Sequence, residues 1–424
     1  MNKATLEFGG VEYPYGSASE PATLGFMQGA PPPPERLIRF EDDRFLDYPQ
    51  NRWALSHLRE LMPTVAVWRG RGAVSDLGAA SRETATAIDA LQFDSLSGHR
   101  LTWIDSLAQT YTDGILVLHR GVRIYERYFG ELQPQRPHAC FSITKSYAAT
   151  LAATLIYEGT LDEDKPVVHY LPEMSGTAYD NATVRQVLDM QVGVAGSEQY
   201  SDPHAHFWAY LRAGGFRPRG KDYVGPGNYY DYLLTLRQEG EHGSAFAYKT
   251  ANTEVLCWIL KRITGAALSE LLSERIWSRI GCEEDGYFAV DCSGVAMGGA
   301  GLNATLRDLC RFGELMRCEG AWQGHQLIPA AVIGDIRRGA DPHKFAKAGY
   351  TLLAGYSYRN MWWVSHDDLG VFEARGIHGQ RLYIAPGAEL VIARFGSHPI
   401  AASASNDPLT LPAFRALSRL LGGE

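Results

Sequence analysis

The chain has 424 residues, of which 45% are hydrophobic and 21% are charged, so it is long enough for one large hydrophobic core or two ordinary ones. Its formal net charge of −8 at pH 7 makes nucleic acids and anionic membrane surfaces poor candidates as partners. The sequence has neither a run of 18 apolar residues nor a basic N-terminal region followed by an apolar stretch, which predicts a cytoplasmic protein.

The N-terminal part of the chain predicts an arm followed by a structured body. Residues 1–50 are rich in glycine and proline, with consecutive prolines at 31–34, which indicates an extended arm lying over the body or a partly disordered segment. Residues 51–61 have helical periodicity. Two runs, 114–119 and 122–129, flank Arg120-Gly121, and this pattern predicts an antiparallel hairpin.

The next segment places a serine and a lysine three residues apart, in Ser142-Ile143-Thr144-Lys145. The apolar spacing of residues 146–158 and the glycine that follows predict a helix with a glycine C-cap. Ser142 and Lys145 would then share one face at the helix start, where free N–H groups favour negative charge. A chain this long contains about one or two Ser-x-x-Lys matches by chance, so the motif needs support from the surrounding sequence.

The rest of the chain alternates between helical and strand-like patterns. Residues 380–385 and 389–395 flank Pro386-Gly387-Ala388 and predict a second hairpin, and a helix is predicted over 412–421. Helical patterns lie at 183–190, 253–263, 267–280 and 305–318. The predicted fold is therefore of the α/β (α+β) class, with an antiparallel sheet flanked by helices and built from both chain ends (51–165 and 300–424), plus an inserted all-helical domain (166–299).

Two further segments could complete a site around a serine and a lysine. Tyr248 lies in a polar turn at 247–252 before a predicted helix, and beside a cationic Lys145 it could titrate low enough to move protons. Any one of 22 tyrosines is more often simply buried. Gly376-Ile377-His378-Gly379-Gln380 precedes the second hairpin, and glycines on an edge strand let an N–H approach a carbonyl. His378 taken alone would more often be structural.

In this order the segments resemble the serine β-lactamase and penicillin-binding-protein superfamily, in which Ser-x-x-Lys precedes a tyrosine motif and a glycine-bearing strand. Within it, the chain is most similar to the 6-aminohexanoate-dimer (nylon oligomer) hydrolases and the β-lactamase-like carboxylesterases. The similarity runs from about residue 51 to the end. It includes PQNRWALSHLREL, QTYTDGILVL, SITKSY, LPEMSGTAYD, QVLDMQ, AYKTANTEVLCWILKRITG, GGAGLNATLRDL, MWW and GIHGQRLYIAP.

The resemblance implies a role for each matching residue. Ser142 would be the acylated serine, Lys145 its base and Tyr248 the proton donor to the leaving group. The backbone N–H groups of Ser142 and Ile377 would form the oxyanion hole. Five further residues would line the substrate pocket: Tyr200, Leu211, Met297, Trp363 and His378.

The chain departs from the family pattern at two places. Many superfamily members read Tyr-x-Asn at the second motif, whereas here position 250 is Thr and the Asn is Asn252. The nylon-oligomer hydrolases share this spacing, so it weakens only a penicillinase interpretation. Leu211 stands where the dimer hydrolases present an acidic residue to the substrate's amine, with no carboxylate nearby in sequence. This makes a cationic amide a doubtful substrate.

The sequence thus predicts a serine hydrolase that cleaves an ester or amide through an acyl-Ser142 intermediate, with no metal or organic cofactor. Lys145 would be kept neutral by burial and by neighbouring positive charge. The six scattered cysteines lack a Cys-x-x-Cys pair, which favours reduced structural thiols. Two alternatives stay open: an acyltransferase that uses the same intermediate, and a penicillin-recognising binding module without turnover. The oligomeric state is open too, with a homodimer as one expectation.

Overall fold

The computed structural model describes residues 5–8, 10–79, 81–200, 202 and 205–423. Its largest sheet, called the main sheet below, has seven antiparallel strands drawn from both ends of the chain. In spatial order these strands are Ser357–Arg359, Trp362–Val364, Phe372–Gly376, Gln380–Ala385, Leu390–Gly396, Thr112–His119 and Val122–Tyr128. Both predicted hairpins are confirmed, and so is the sheet built from the two ends of the chain.

A second sheet of four antiparallel strands lies beside the Ser-x-x-Lys segment. Its strands, in spatial order, are Thr64–Val67, Gly286–Ala289, Leu302–Ala304 and His138–Ala139. The strand Gly286–Ala289 lies inside the range predicted to be an all-helical insert, and it joins the insert to this sheet.

Helices cover the main sheet and fill the insert. The α-helices are Pro21–Leu24, Asn51–Ala54, Arg82–Asp89, Trp103–Gln109, Ile143–Tyr157, Val167–Tyr170, Val184–Leu188, His206–Ala213, Tyr229–Thr235, Thr250–Thr264, Leu268–Leu272, Leu306–Arg317, Ala330–Arg338, Pro342–Ala346 and Asp407–Gly422. The single helix predicted over 51–61 is wrong, because the α-helix ends at Ala54 and a 3-10 turn follows at Leu58–Glu60. None of the helices in the described ranges has the length and hydropathy that crossing a membrane requires.

Side chains of the main sheet alternate between two hydrophobic cores, as the two-residue period of a strand requires. Leu116 and Leu118 face the larger core, which also contains the buried helix Ile143–Tyr157. Ile115 and Val117 face a smaller core, closed by the C-terminal helix. The sheet therefore packs against the helix that carries Ser142. All six cysteines are free thiols.

The N-terminal arm is folded onto the body and begins with a hairpin of strands Thr5–Phe8 and Val11–Pro14. Buried Arg52 holds it by donating to the carbonyl oxygen of Gly16 at 3.1 Å and pairing with Glu20 at 3.1 Å. The hydroxyl of Tyr111 donates to the carbonyl oxygen of Pro14 at 2.7 Å. These bonds bring the later part of the arm to the cleft described next.

Candidate active site

Ser142 is the N-cap residue of the helix Ile143–Tyr157, as the sequence predicted. The preceding Phe141 has φ 45°, a left-handed conformation that is a genuine outlier for a bulky residue. This turn brings Ser142 to the floor of a cavity while the helix behind it stays buried. The helix N-terminus adds positive potential near the serine oxygen.

The side chain of Lys145 is fully buried and ends beside Ser142. Its Nζ donates to Ser142 Oγ at 2.9 Å and to the carbonyl oxygen of Gly299 at 2.7 Å. Burial lowers the pKa of Lys145 to about 8. The expected neighbouring positive charge is wrong, because the charged groups that influence this amine are the carboxylates of Glu198 and Glu254, which raise its pKa. Desolvation alone accounts for the lowered pKa, and a substantial neutral fraction exists near neutral pH.

The phenol ring of Tyr248 lies close to the lysine amine. Lys145 Nζ is 5.1 Å from the centre of the ring. The ring stacks on Trp363 with a centroid distance of 5.8 Å. Burial raises the pKa of Tyr248 above its ordinary value, and a hydrogen bond with Ser142 only partly opposes this. The expectation that Tyr248 titrates low is therefore wrong. A protonated phenol at this place can donate a proton but is not a resident base.

The backbone of Gly376 and Ile377 closes the site opposite Ser142. The strand Phe372–Gly376 lies inside the main sheet, but its pairing with Trp362–Val364 covers only Phe372 and Glu373. Its last residues, up to Gly376, pair on one side alone, as an edge does. A Cβ atom on Gly376 would lie 2.6 Å from the carbonyl oxygen of Cys140, so the two backbones are in direct contact. The rings of Phe141 and His378 meet just beyond, with centroids 5.7 Å apart. This contact places the residues of the predicted oxyanion hole, Ser142 and Ile377, next to each other.

Two cavities of unequal size open on Ser142. The large chamber has a volume of about 680 Å³, and its lining includes Tyr13, Leu46, Asp47, Tyr48, Phe141, Ser142, Glu198, Tyr200, Phe207, Trp208, Leu211, Phe216, Arg217, Met297, Tyr350, Ile377, His378 and Ala402. The small chamber has a volume of about 130 Å³ and is lined by Ser142, Tyr200, Tyr248, Tyr350, Leu353, Trp363, Arg375, Gly376, Ile377, Ala402, Ser403, Ala404 and Asp407.

The structure brings every residue of the predicted site to one of these chambers or directly beneath them. Tyr200 faces both chambers, whereas Leu211, Met297 and His378 face the large one and Trp363 the small one. Burial lowers the pKa of His378 to about 4, and its Nδ1 lies 2.8 Å from the carbonyl oxygen of His398. His378 is therefore neutral at physiological pH.

The segment around Leu211 has no carboxylate, but other parts of the chain bring carboxylates to the same chamber. Leu211 is buried, but Asp47 of the arm and Glu198 of the preceding loop line the same chamber. Arg217 also faces it, 4.0 Å from Asp47 and stacked on Trp208 at 4.4 Å. The lack of a carboxylate around position 211 therefore does not by itself exclude a cationic substrate. Residues distant in sequence supply charges that the helical segment around position 211 lacks.

The sequence did not reveal the role of Glu254, which holds in place the loop whose Gly299 carbonyl accepts from Lys145. Glu254 is a buried carboxylate that accepts from the N–H groups of Gly298 and Gly299 at 3.0 and 2.8 Å and from the hydroxyl of Tyr210. These bonds hold the loop whose Gly299 carbonyl accepts from Lys145. Burial raises the pKa of Glu254 to about 7. A single charged residue inside an otherwise uncharged stretch, TANTEVLCWIL, was the available signal.

Glu198 was missed as well. Its carboxylate accepts from the N–H and, at 3.0 Å, from the hydroxyl of Thr250, two residues after Tyr248. Burial raises its pKa. Nothing in the spacing of the sequence connects Glu198 with Thr250. Within the described ranges, no group of three His, Cys, Asp or Glu side chains is placed to hold a metal ion.

Comparison with known proteins gives the same family as the resemblance of the sequence motifs. The Beta-lactamase family model matches residues 103–408. A 6-aminohexanoate-dimer hydrolase from Paenarthrobacter ureafaciens is 33% identical over 359 residues, which cover 84% of this chain and 88% of that protein. The structure of a Bacillus anthracis protein named as a candidate 6-aminohexanoate-dimer hydrolase superposes with a TM-score of 0.82 at 31% identity, covering 90% of this chain and 97% of the other.

A more distant similarity concerns the fold alone. The structure of a family VIII carboxylesterase matches with a TM-score of 0.56 at 16% identity, over 82% of this chain and 99% of that one. The predicted fold class is confirmed by this likeness and by the two sheets described above. On the extent of the family match and the identity to the Paenarthrobacter enzyme, the chain belongs to the Beta-lactamase family and is a hydrolase.

Proposed function

We propose that this protein hydrolyses an ester or amide through a covalent acyl intermediate on Ser142. The observation that carries the proposal is the 2.9 Å hydrogen bond between Lys145 Nζ and Ser142 Oγ, made by a buried amine at the point where both chambers meet the serine. A neutral amine in that position can remove the serine proton while Oγ attacks a carbonyl carbon.

The proton that Ser142 loses has a route to the leaving group. As the Oγ–carbon bond forms, the carbonyl π electrons move to oxygen, and in this proposal the N–H groups of Ser142 and Ile377 stabilise the negative charge. When the bond to the leaving oxygen or nitrogen breaks, Tyr248 donates its proton to that atom and is reprotonated by the ammonium of Lys145. Water then adds to the acyl carbon, and the acid departs with Ser142 restored.

The choice of ester or amide rests on the walls of the large chamber and on the names of relatives. Its aromatic and aliphatic walls suit an acyl chain. The carboxylates of Asp47 and Glu198 also allow an acyl chain that carries an amine. One relative is named as a hydrolase of the 6-aminohexanoate dimer and one structural neighbour as a carboxylesterase. Side chains and water complete the cycle, so dialysis against EDTA should leave turnover unchanged.

Multiple turnover on p-nitrophenyl butyrate tests the proposal. Wild type should release many equivalents of p-nitrophenol per protein, whereas Ser142→Ala should release none above background. Ser293→Ala, at an exposed serine, is the matched control and should behave like wild type. A burst of one equivalent without further turnover would overturn the proposal in favour of a binding module. Equal rates for wild type and Ser142→Ala would show that another residue is acylated.

A further inference from the structure

The two chambers differ greatly in size and meet at the serine. The large chamber holds about 680 Å³ and the small one about 130 Å³. Ser142, Tyr200, Tyr350, Ile377 and Ala402 border both. A substrate whose carbonyl carbon lies at Ser142 Oγ can therefore place one part in each chamber.

The position of Tyr248 decides which part goes where, and this step rests on the proposed function. The carbon of the tetrahedral intermediate carries four substituents: Ser142 Oγ, the oxyanion, the leaving atom and the acyl chain. The oxyanion points to the N–H groups of Ser142 and Ile377, and the leaving atom points to the phenol of Tyr248 that protonates it. Tyr248 borders the small chamber and is absent from the lining of the large one. The acyl chain is left facing the large chamber.

We propose that the enzyme divides its substrate unequally, with the acyl group in the large chamber and the leaving group in the small one. Its preferred substrates are then esters or amides whose acyl part is the larger half and whose leaving alcohol or amine is small. Leu211, Met297, Phe141 and Phe207 give the acyl chain an apolar wall, whose contact with each further methylene favours a longer chain.

The small chamber limits the size of the leaving group. The positive charge of its arginine, Arg375, is compensated by a neighbouring carboxylate. Arg375 borders it, but both oxygens of Asp407 already accept from the guanidinium, which also stacks over Trp363 at 5.3 Å. Asp407 itself belongs to the lining. A small neutral leaving group fits this surrounding better than a charged or long one.

The N-terminal arm closes the far side of the large chamber. Leu46 and Tyr48 line it together with Tyr13, and the arm is fixed there by the bonds of Arg52 described above. An acyl chain long enough to fill the chamber would contact the arm, because Tyr13, Leu46 and Tyr48 belong to its lining. The arm thus contributes to the preference for a large acyl group.

Two isomeric esters test the division directly. Methyl nonanoate and octyl acetate share the formula C10H20O2 but exchange the long and the short part across the carbonyl. With acid release followed in a pH-stat, wild type should show a kcat/KM at least about tenfold higher for methyl nonanoate, the scale on which pocket contacts with a few methylenes discriminate. Equal values, or a preference for octyl acetate, would overturn the proposal.

A substitution in the wall of the large chamber tests whether that chamber causes the preference for methyl nonanoate. Leu211→Trp should lower the ratio of the two kcat/KM values by about tenfold, because the indole fills space that the acyl chain needs. Leu420→Trp, at an exposed site on the C-terminal helix, is the matched control and should keep the wild-type ratio. An unchanged ratio in Leu211→Trp would contradict the assignment of the acyl chain to this chamber.

Failure of the division and failure of the proposed function give different results. If neither ester is hydrolysed in a manner that depends on Ser142, the function itself is wrong. If both are hydrolysed with dependence on Ser142 but octyl acetate is favoured, the function stands and the division is reversed.

Discussion

Gly376 packs against the carbonyl oxygen of Cys140 so closely that a Cβ atom on it would lie 2.6 Å from that oxygen. This contact joins the end of a main-sheet strand to the turn before Ser142, and the proposed oxyanion-hole residues Ser142 and Ile377 follow directly on its two sides. The need for glycine at this position is therefore steric, since its φ of −132° suits any residue.

Gly376→Ala should impair catalysis by separating the two N–H groups. Because the obstructing atom belongs to the backbone, the alanine must push the strand end away from Cys140. Loss of one oxyanion donor typically lowers kcat by about 10²–10³-fold, and we expect a loss on that scale in ester turnover. Gly334→Ala, where a Cβ meets no neighbour within 4 Å, should retain wild-type kcat. Near-normal activity of Gly376→Ala would show that the oxyanion is stabilised elsewhere.

Lys145→Arg tests whether the lysine acts as a base. Arginine keeps the positive charge but stays protonated in proteins, so it cannot accept the proton of Ser142. We expect the acylation rate, measured by stopped-flow with p-nitrophenyl butyrate, to fall by at least about 10²-fold, the scale of general-base catalysis. Lys261→Arg, on the exposed face of the helix Thr250–Thr264, is the matched control. Acylation of Lys145→Arg at a near wild-type rate would reduce Lys145 to an electrostatic partner.

Tyr248→Phe should distinguish leaving groups. The substitution keeps the ring stacked on Trp363 and removes the proton. An amine leaves badly unless it is protonated, whereas a nitrophenolate leaves readily, so amide cleavage should lose far more activity than p-nitrophenyl ester cleavage. The comparison needs kcat for one acyl group on both leaving groups, with the exposed Tyr157→Phe as control. Equal losses would mean that Tyr248 positions the substrate without donating to it.

The pH dependence of kcat/KM should follow the titration of Lys145. Its pKa is lowered to about 8 and the neutral amine is the active form, so activity should rise with pH and reach a plateau above that value. Below pH 8 the neutral fraction falls about tenfold per pH unit, and kcat/KM should fall with it. An activity that is flat between pH 6 and 9 would contradict a base with this pKa.

Glu254→Gln should move this acid limb. The Glu254 carboxylate raises the pKa of Lys145, so its removal lowers that pKa and shifts the limb to lower pH. A residue that only supported the loop at Gly298 and Gly299 would reduce kcat without moving the limb. Glu274→Gln, at an exposed glutamate, should leave the profile unchanged. A limb that moves to higher pH in Glu254→Gln would show that the sign of the interaction is wrong.

Local patterns predicted the elements that carry the site. The spacing of apolar residues after Ser142 and the glycine at 159 correctly placed the helix, and alternation placed both hairpins, because these features depend on neighbours in sequence. The helix predicted over 51–61 was wrong because residues 51–58 are all buried by tertiary contacts, so their apolar pattern does not mark one helical stripe. The chain forms two short turns there, Asn51–Ala54 and Leu58–Glu60.

Charge relationships around the site could not be predicted in the same way. Asp47 and Leu211 are 164 positions apart in the sequence, yet they line one chamber because the arm folds back over the body. The pKa values of Lys145 and Tyr248 depend on burial, which the residue types alone do not give. The expected low pKa of Tyr248 was wrong because of this burial, and the expected positive charge beside Lys145 was wrong because packing brings Glu198 and Glu254 there.

The central claim is that Ser142 is the acylated nucleophile. Intact-protein mass spectrometry tests it most directly, after brief exposure to a fluorophosphonate or to an ester whose acyl group leaves the enzyme slowly. Wild type should gain the mass of one phosphonyl or acyl group, and peptide mapping should place it on Ser142. Ser142→Ala should remain unmodified while keeping the circular dichroism spectrum and melting temperature of wild type. An adduct on another residue, or an equally labelled Ser142→Ala, would contradict the assignment of Ser142 as the nucleophile.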